Sequence, residues 1–347
     1  MGIARFTIEV CPPFRLDLTV WALRRRPHNT IDVWDGTTYT RTLVADASPV
    51  LVAVRQEGGQ PEGARLGVEV RRRGEAPSGA GVVEVRRTLE RMLGLGVDLA
   101  GFYELAAADE RLAGLAGRFR GVRPPRFASV FEALVNAVAC QQLSLTVGIH
   151  LLDRLAAVYG PEVALRGATP GFPSAQGLAA AEPSHLRRLG FSVAKARTLT
   201  GLARGVASGT LDLDALAQAD DEHATAALVA LPGIGRWSAE YVLLRGLGRL
   251  GVLPGDDVGA RNNLRRHFEL PAPAGYDEVA TLTKSWWPYG GLVYFHLLLD
   301  ALARGGHLAA AAADPPSDGP ASPRTFAVQS GSRRPAASAR FGAGDVA

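Results

Sequence analysis

Leu231-Pro232-Gly233-Ile234-Gly235-Arg236-Trp237-Ser238-Ala239-Glu240-Tyr241, followed by Pro254-Gly255-Asp256-Asp257-Val258, is the stretch whose reading decides the fold. Ala226 to Ala230 is apolar and suits a helix. Pro232, Gly233 and Gly235 then impose a tight turn, because proline fixes its own φ and glycine admits positive φ without a Cβ clash. Beyond Gly235, the apolar residues Trp237, Tyr241 and Leu244 recur at i, i+4 and i+7, so a helix restarts. The segment reads as helix, glycine hairpin, helix. Backbone N–H groups at such a turn, beside a helix start, bind a phosphate at close range. A nucleotide-binding P-loop requires Gly-Lys-Ser/Thr, which Arg236-Trp237 does not supply. The phosphate of a DNA backbone suits the turn better.

Working outward, Val258 to Phe268 has helical spacing, so Asp257 stands where an N-cap stands. Asp256 and Asp257 are both candidates for a working carboxylate. Upstream, Phe131, Leu134, Val135 and Val138 mark a helix face that runs into Cys140-Gln141-Gln142-Leu143-Ser144. Two glutamines and an exposed leucine are unusual for a core, and the plain reading is a capped helix end. Further helices are expected over 147–159, 183–189, 193–208, 220–231 and 292–302. Gly190-Phe191-Ser192, with Lys195 and Arg197 just beyond, is a lesser candidate for a second phosphate-holding turn.

The first hundred residues have a different period. Phe6 to Val10 and Ile31 to Val33 alternate, the latter before an Asp35-Gly36 turn. Tyr39 to Val44, Pro49 to Val54 and Arg65 to Val70 complete four or five strands, with helices expected over Phe14–Arg26 and Val82–Leu95. A helix on an antiparallel sheet is the expected packing. Arg24-Arg25-Arg26 and Arg71-Arg72-Arg73 read as solvated basic runs, with phosphate contacts as the sharper alternative. The fold class is therefore α+β. A small N-terminal antiparallel sheet with helices occupies residues 1–100, and an all-α unit follows over 101–306. An Ala/Pro/Ser/Gly-rich tail over 307–347 is expected to be disordered.

The chain has 347 residues, of which 47% are hydrophobic and 21% charged, as in an ordinary globular protein with room for a core. No apolar run reaches the roughly 18 residues of a membrane span, and the N-terminus lacks the layout of a signal peptide. Two cysteines, Cys11 and Cys140, are too few for a disulfide framework or a four-cysteine iron–sulfur cluster. A reducing, cytoplasmic setting is expected. A net charge of +4 permits nucleic-acid binding without requiring it. The histidines are scattered, with no His/Cys/Asp/Glu set at metal-ligand spacing.

Leu231-Pro232-Gly233-Ile234-Gly235 with an Asp in Pro254-Gly255-Asp256-Asp257-Val258 resembles the helix-hairpin-helix superfamily of DNA glycosylases. Gly235-Arg236-Trp237-Ser238-Ala239-Glu240-Tyr241 is most similar to the DNA-3-methyladenine glycosylase II branch. The resemblance extends over about residues 5–306 and is strongest over 125–300. It implies a glycosylase that flips an alkylated purine out of duplex DNA and hydrolyses the base–sugar bond. It selects Asp257 as the catalytic carboxylate, because the family's catalytic Asp directly precedes the residue opening the next helix. It also implies Trp237 and Tyr241 as the base pocket, Leu143 as the plug filling the vacated duplex with Gln142 beside it, and Gly233, Ile234 and Gly235 as the DNA anchor. The carbonyls of Val229, Leu231 and Ile234 are implied as holders of a structural monovalent cation (Na or K), with no other cofactor required. Bifunctional relatives place a Schiff-base lysine where Trp237 stands, and neither lysine of this chain, Lys195 or Lys284, lies near the motif in sequence. A monofunctional, monomeric enzyme without lyase activity is expected. Its partner would be duplex DNA carrying damaged bases, and no membrane. The rivals are a non-catalytic DNA-binding relative and a glycosylase for oxidised or mismatched bases. Two departures bear on pocket shape: Leu297 and Leu298 stand where the family supplies another pocket Trp, and Trp21 is out of register with a family aromatic.

Overall fold

The computed structural model describes residues 1–59, 65–165 and 167–308. The expected disordered tail lies outside the described residues, save its first two positions. The chain begins with β1 (Gly2–Glu9), α1 (Leu16–Arg24), β2 (Val33–Trp34), β3 (Thr38–Ala45), β4 (Ser48–Glu57), β5 (Arg65–Arg72) and α2 (Gly79–Met92). The strands form one antiparallel sheet in the order β1-β5-β4-β3-β2. Central β4 buries Val50, Val52 and Val54, which share a core with Val85, Leu89 and Met92 of α2. Alternation in these strands thus marks the covered face, as period-two patterning requires.

Helices account for most of the remainder: α3 (Ala100–Ala107), α4 (Glu110–Arg118), α5 (Val130–Cys140), α6 (Leu145–Tyr159), α7 (Ala175–Ala179), α8 (Pro183–Arg188), α9 (Val193–Ala207), α10 (Leu213–Gln218), α11 (Asp221–Val229), α12 (Arg236–Val242), α13 (Val258–His267), α14 (Tyr276–Lys284) and α15 (Gly290–Arg304). Serine or aspartate side chains start many of them. Ser129, Ser144, Ser192, Asp220 and Asp257 each accept a first-turn N–H. The helix expected to continue past α12 instead becomes a π-turn over Leu243–Leu247. There Gly246 lies against Ala133 of α5, so closely that a Cβ would meet it at 2.8 Å.

The described residues of sheet and helices share one compact unit. Arg41 of β3 joins them: buried, it donates to Asp32 at 2.7 Å and to Glu132 of α5 at 2.6 Å. Thr42 donates its N–H and its hydroxyl to Thr169. A second core, built from α1, α3, α4, α13 and α15, includes Leu18, Phe102, Leu115, Leu264 and Phe295. Between these cores, the end of α1, the α5–α6 loop, α12 and the start of α13 converge.

Candidate active site

The hairpin forms because α11 ends at Val229 and the chain reverses over Leu231–Gly235, closed by an N–H···O bond from Ile234 to Leu231 at 3.0 Å. Gly233 has φ of 82° and lies against Thr198 of α9, where a Cβ would overlap the hydroxyl. Gly235 is the N-cap of α12 and offers no side chain to the first-turn N–H groups. Its Cα faces open space. Ile234 points the other way, 4% exposed, and pins the turn to the core.

Beside the hairpin is a cleft of about 1310 Å³. Gln142, Leu143, Gly233, Gly235, Trp237, Tyr241 and Asp257 all line it. Ile234, Val229 and Leu231 do not line it. Trp237 and Tyr241 stand one turn apart on α12 with ring centroids 5.3 Å apart, a continuous aromatic wall. The Trp237 indole Nε1 donates to Asp257 Oδ2 at 3.1 Å. The other oxygen, Oδ1, accepts the Ala260 N–H at 2.7 Å and caps α13. Both oxygens are therefore oriented, and both by neutral donors.

Asp256, adjacent in sequence, is in a different state. Arg236 grips it at 2.7 and 2.8 Å, and that guanidinium stacks 3.6 Å above the Tyr276 ring. Glu240, buried on α12, accepts the Gly255 N–H at 2.9 Å and the Tyr276 hydroxyl at 2.7 Å. Burial pushes the Glu240 carboxyl up. Burial, then the hydrogen bond to Glu240, pushes the Tyr276 phenol up to about 12. These bonds fix the loop that carries both aspartates. Nothing in the sequence spacing marks Glu240 for this task.

The α5–α6 loop forms the opposite rim. Gln142 adopts φ of 52°, and Leu143 is 44% exposed. Gln141 ties this loop to the hairpin by donating to the Gly233 carbonyl and to Ser238 Oγ, each at 2.8 Å. Lys195, remote from the hairpin in sequence, also lines the cleft. Its ammonium is committed to the Ala139 and Gln141 carbonyls at 3.0 and 2.7 Å, and burial lowers its proton affinity.

The first arginine run is not a solvated face. Arg24 is buried and donates to the Trp34 and Pro27 carbonyls. Arg25 has φ of 63°, which turns it inward to line the cleft. It donates to the Tyr241 hydroxyl at 2.6 Å and to Asn136 Oδ1 at 2.8 Å. α15 adds Tyr294, whose phenol is pushed up by burial and then by the Asp257 charge, and Leu298 one turn on. Leu297 is in the core, and Trp21 stacks with His307 without lining the cleft.

A family model described as HhH-GPD superfamily base excision DNA repair protein matches residues 135–289, the segment holding the hairpin and both aspartates. The protein YfjP of Bacillus subtilis is 27% identical over 284 residues, 81% of this chain and 94% of its own length. DNA-3-methyladenine glycosylase 2 of Escherichia coli is 32% identical over 191 residues, which are 54% of this chain and 66% of that protein. The solved 3-methyladenine DNA-glycosylase of Archaeoglobus fulgidus superposes with a TM-score of 0.76 at 27% identity, covering 88% of this chain and all of that one. On the hairpin, the carboxylate capping the next helix and the match spanning both, it is the segment 135–289 that matches the HhH-GPD superfamily of base excision DNA repair proteins.

Proposed function

We propose that this protein is a monofunctional DNA glycosylase that removes alkylated purines such as 3-methyladenine from duplex DNA. The observation that carries the reading is the pairing of Asp257 with Trp237: one carboxylate, held by the indole of the aromatic wall, in a cleft bordered by the hairpin. Breaking a base–sugar bond places oxocarbenium-like positive charge on the sugar. An ionised Asp257 near the anomeric carbon stabilises that charge and orients or deprotonates the attacking water. Alkylation makes the purine cationic, and the Trp237 and Tyr241 faces attract a cation. Leu143 would fill the gap left by the flipped nucleotide with Gln142 beside it, offsetting a few kcal/mol of lost stacking. The N–H groups of Gly233–Gly235 would hold a backbone phosphate. The named Escherichia coli and Archaeoglobus relatives share this substrate class by name.

The absence of a lyase step rests on Trp237 occupying the position at which a Schiff-base amine would stand, and on the Lys195 ammonium being engaged with two carbonyls. A sodium or potassium ion at the Val229, Leu231 and Ile234 carbonyls is part of the proposal. Neutral carbonyl oxygens without a carboxylate suit a hard monovalent cation, which would stiffen the turn. The test is chromatography of bases released from methylated duplex DNA, with borohydride added in parallel. Release of 3-methyladenine or 7-methylguanine without a trapped protein–DNA adduct is the expected result. A trapped adduct overturns the monofunctional assignment, and intact DNA binding without release of any base overturns the activity.

A further inference from the structure

Away from the cleft, the fold gathers side chains that the sequence scatters. His28 lies in the turn after α1, whereas His150 and Asp153 stand three apart on α6 and share a face. One ligand atom from each of the three lies within 4.8 Å of the others. Spacing along the sequence does not mark this set, because the partners come from elements more than a hundred residues apart. The His28 and His150 rings stack at 4.0 Å with planes 19° apart. His28 Nε2 is buried and has no hydrogen-bond partner among the described residues, a costly state for a polar nitrogen. Asp153 is oriented as metal-binding carboxylates are: its Oδ1 accepts the Thr30 N–H at 3.0 Å and the Thr30 hydroxyl at 2.9 Å. Arg26, close to His28 in sequence, is held by Thr146 Oγ1 at 3.1 Å and by the Arg25 carbonyl.

We propose that His28, His150 and Asp153 bind a divalent transition-metal ion, zinc foremost, with a further position open to water. Two imidazoles and one carboxylate form a known three-ligand set for such ions, and they exclude magnesium and calcium, which take oxygen alone. His150 is exposed, so the ion reaches the site from solvent and His150 rotates out of its stack to meet it. The site lies outside the lining of the cleft. It would join the turn carrying Arg25 and Arg26 to the helix that begins just after Leu143, and so hold two cleft walls at a fixed separation.

The experiment uses the full chain without a polyhistidine tag, stripped with chelator and titrated separately with zinc chloride and cobalt chloride. One equivalent should bind, and cobalt should show d–d bands without a thiolate charge-transfer band. His150→Ala and Asp153→Asn should each weaken zinc binding by more than about 100-fold, because loss of an outer partner alone costs about 10–100-fold. Cys11→Ser and Cys140→Ser should leave it unchanged. His150 is exposed, so its variant keeps the fold, which circular dichroism checks. Failure of the wild type to bind micromolar zinc, or equal binding by His150→Ala, overturns the proposal. Metal occupancy is read directly and does not depend on base release.

Discussion

Asp256→Asn and Asp257→Asn, compared side by side, separate two carboxylates that are neighbours in sequence and opposites in environment. Asp256 has its charge answered by Arg236 at 2.7 Å. Among the described residues, Asp257 accepts from Ala260 N–H and Trp237 Nε1–H, both neutral, so its charge stays available to a cation in the cleft. At about 4 Å and an effective dielectric of about 20, a unit charge stabilises a unit cation by about 4 kcal/mol. At about 1.4 kcal/mol per factor of ten, that is roughly 10³ in rate. The transition-state charge is spread over the sugar, so a loss of about 10²–10³ is expected for Asp257→Asn, the range seen when an electrostatic stabiliser is removed. The substituted amide still has an oxygen to cap Ala260, but its NH2 then faces the Trp237 N–H. One hydrogen bond is lost, costing about 1 kcal/mol of stability and leaving the fold intact. Asp256→Asn removes a partly exposed ion pair worth about 0–1 kcal/mol and should cost less than about fivefold in rate. Trp237→Phe keeps an aromatic ring but removes the donor, so it should fall between, at about 10–100-fold, for one hydrogen bond to a charged group worth about 1.5–3 kcal/mol. The assay is single-turnover release of 3-methyladenine from methylated duplex with protein in excess, alongside thermal melts. A hundredfold loss in Asp256→Asn, with Asp257→Asn near wild type, would refute the reasoning.

Gly233→Ala should destabilise the protein by about 2–3 kcal/mol, combining the left-handed φ penalty with overlap on Thr198. It should also weaken binding to any duplex irrespective of sequence, measured by melting and by fluorescence anisotropy. A separate pH effect resides in His296, which burial holds down at about 4 against an ordinary 6.5. The unfolded chain takes up a proton that the fold refuses across that window. Stability should therefore fall as pH drops from 6.5 to 4, by about 3 kcal/mol from this side chain. Denaturant titrations of wild type and His296→Leu at both pH values measure it; equal slopes in the two proteins would dismiss it.

Much of the architecture was legible in local chemistry. Strand alternation located β3, β4 and β5 within two residues at most ends, apart from the last residues of β4, and the helices expected over 183–189 and 193–208 lie within a residue of α8 and α9. What escaped notice lacked a local signal. α14 has a single buried residue, Val279, so no apolar period announces it. Its start is held instead by Glu278 reaching back to the Gly275 N–H. The hairpin stretch indicated Trp237, Tyr241 and Asp257 as candidates, but not that an indole N–H would orient the carboxylate. The arginine triplet misled because a run of charges ordinarily implies solvent. Here the left-handed turn at Arg25 directs the chain inward, and the partners that make burial tolerable, Tyr241 and Asn136, come from helices far along the sequence. Lys195 and His150 escaped for the same reason: proximity in space that spacing along the chain does not encode.

The polar seam between sheet and helices has a consequence for biogenesis. Arg41 is completed by Glu132, and Thr42 by Thr169. On a ribosome, the strands emerge long before either partner, so the sheet cannot reach its final state from its own residues. At about 5–20 residues per second, the wait for Thr169 lasts on the order of ten seconds. Through that interval the nascent sheet offers unpaired surface to other chains. A truncated N-terminal fragment would remain in that condition permanently.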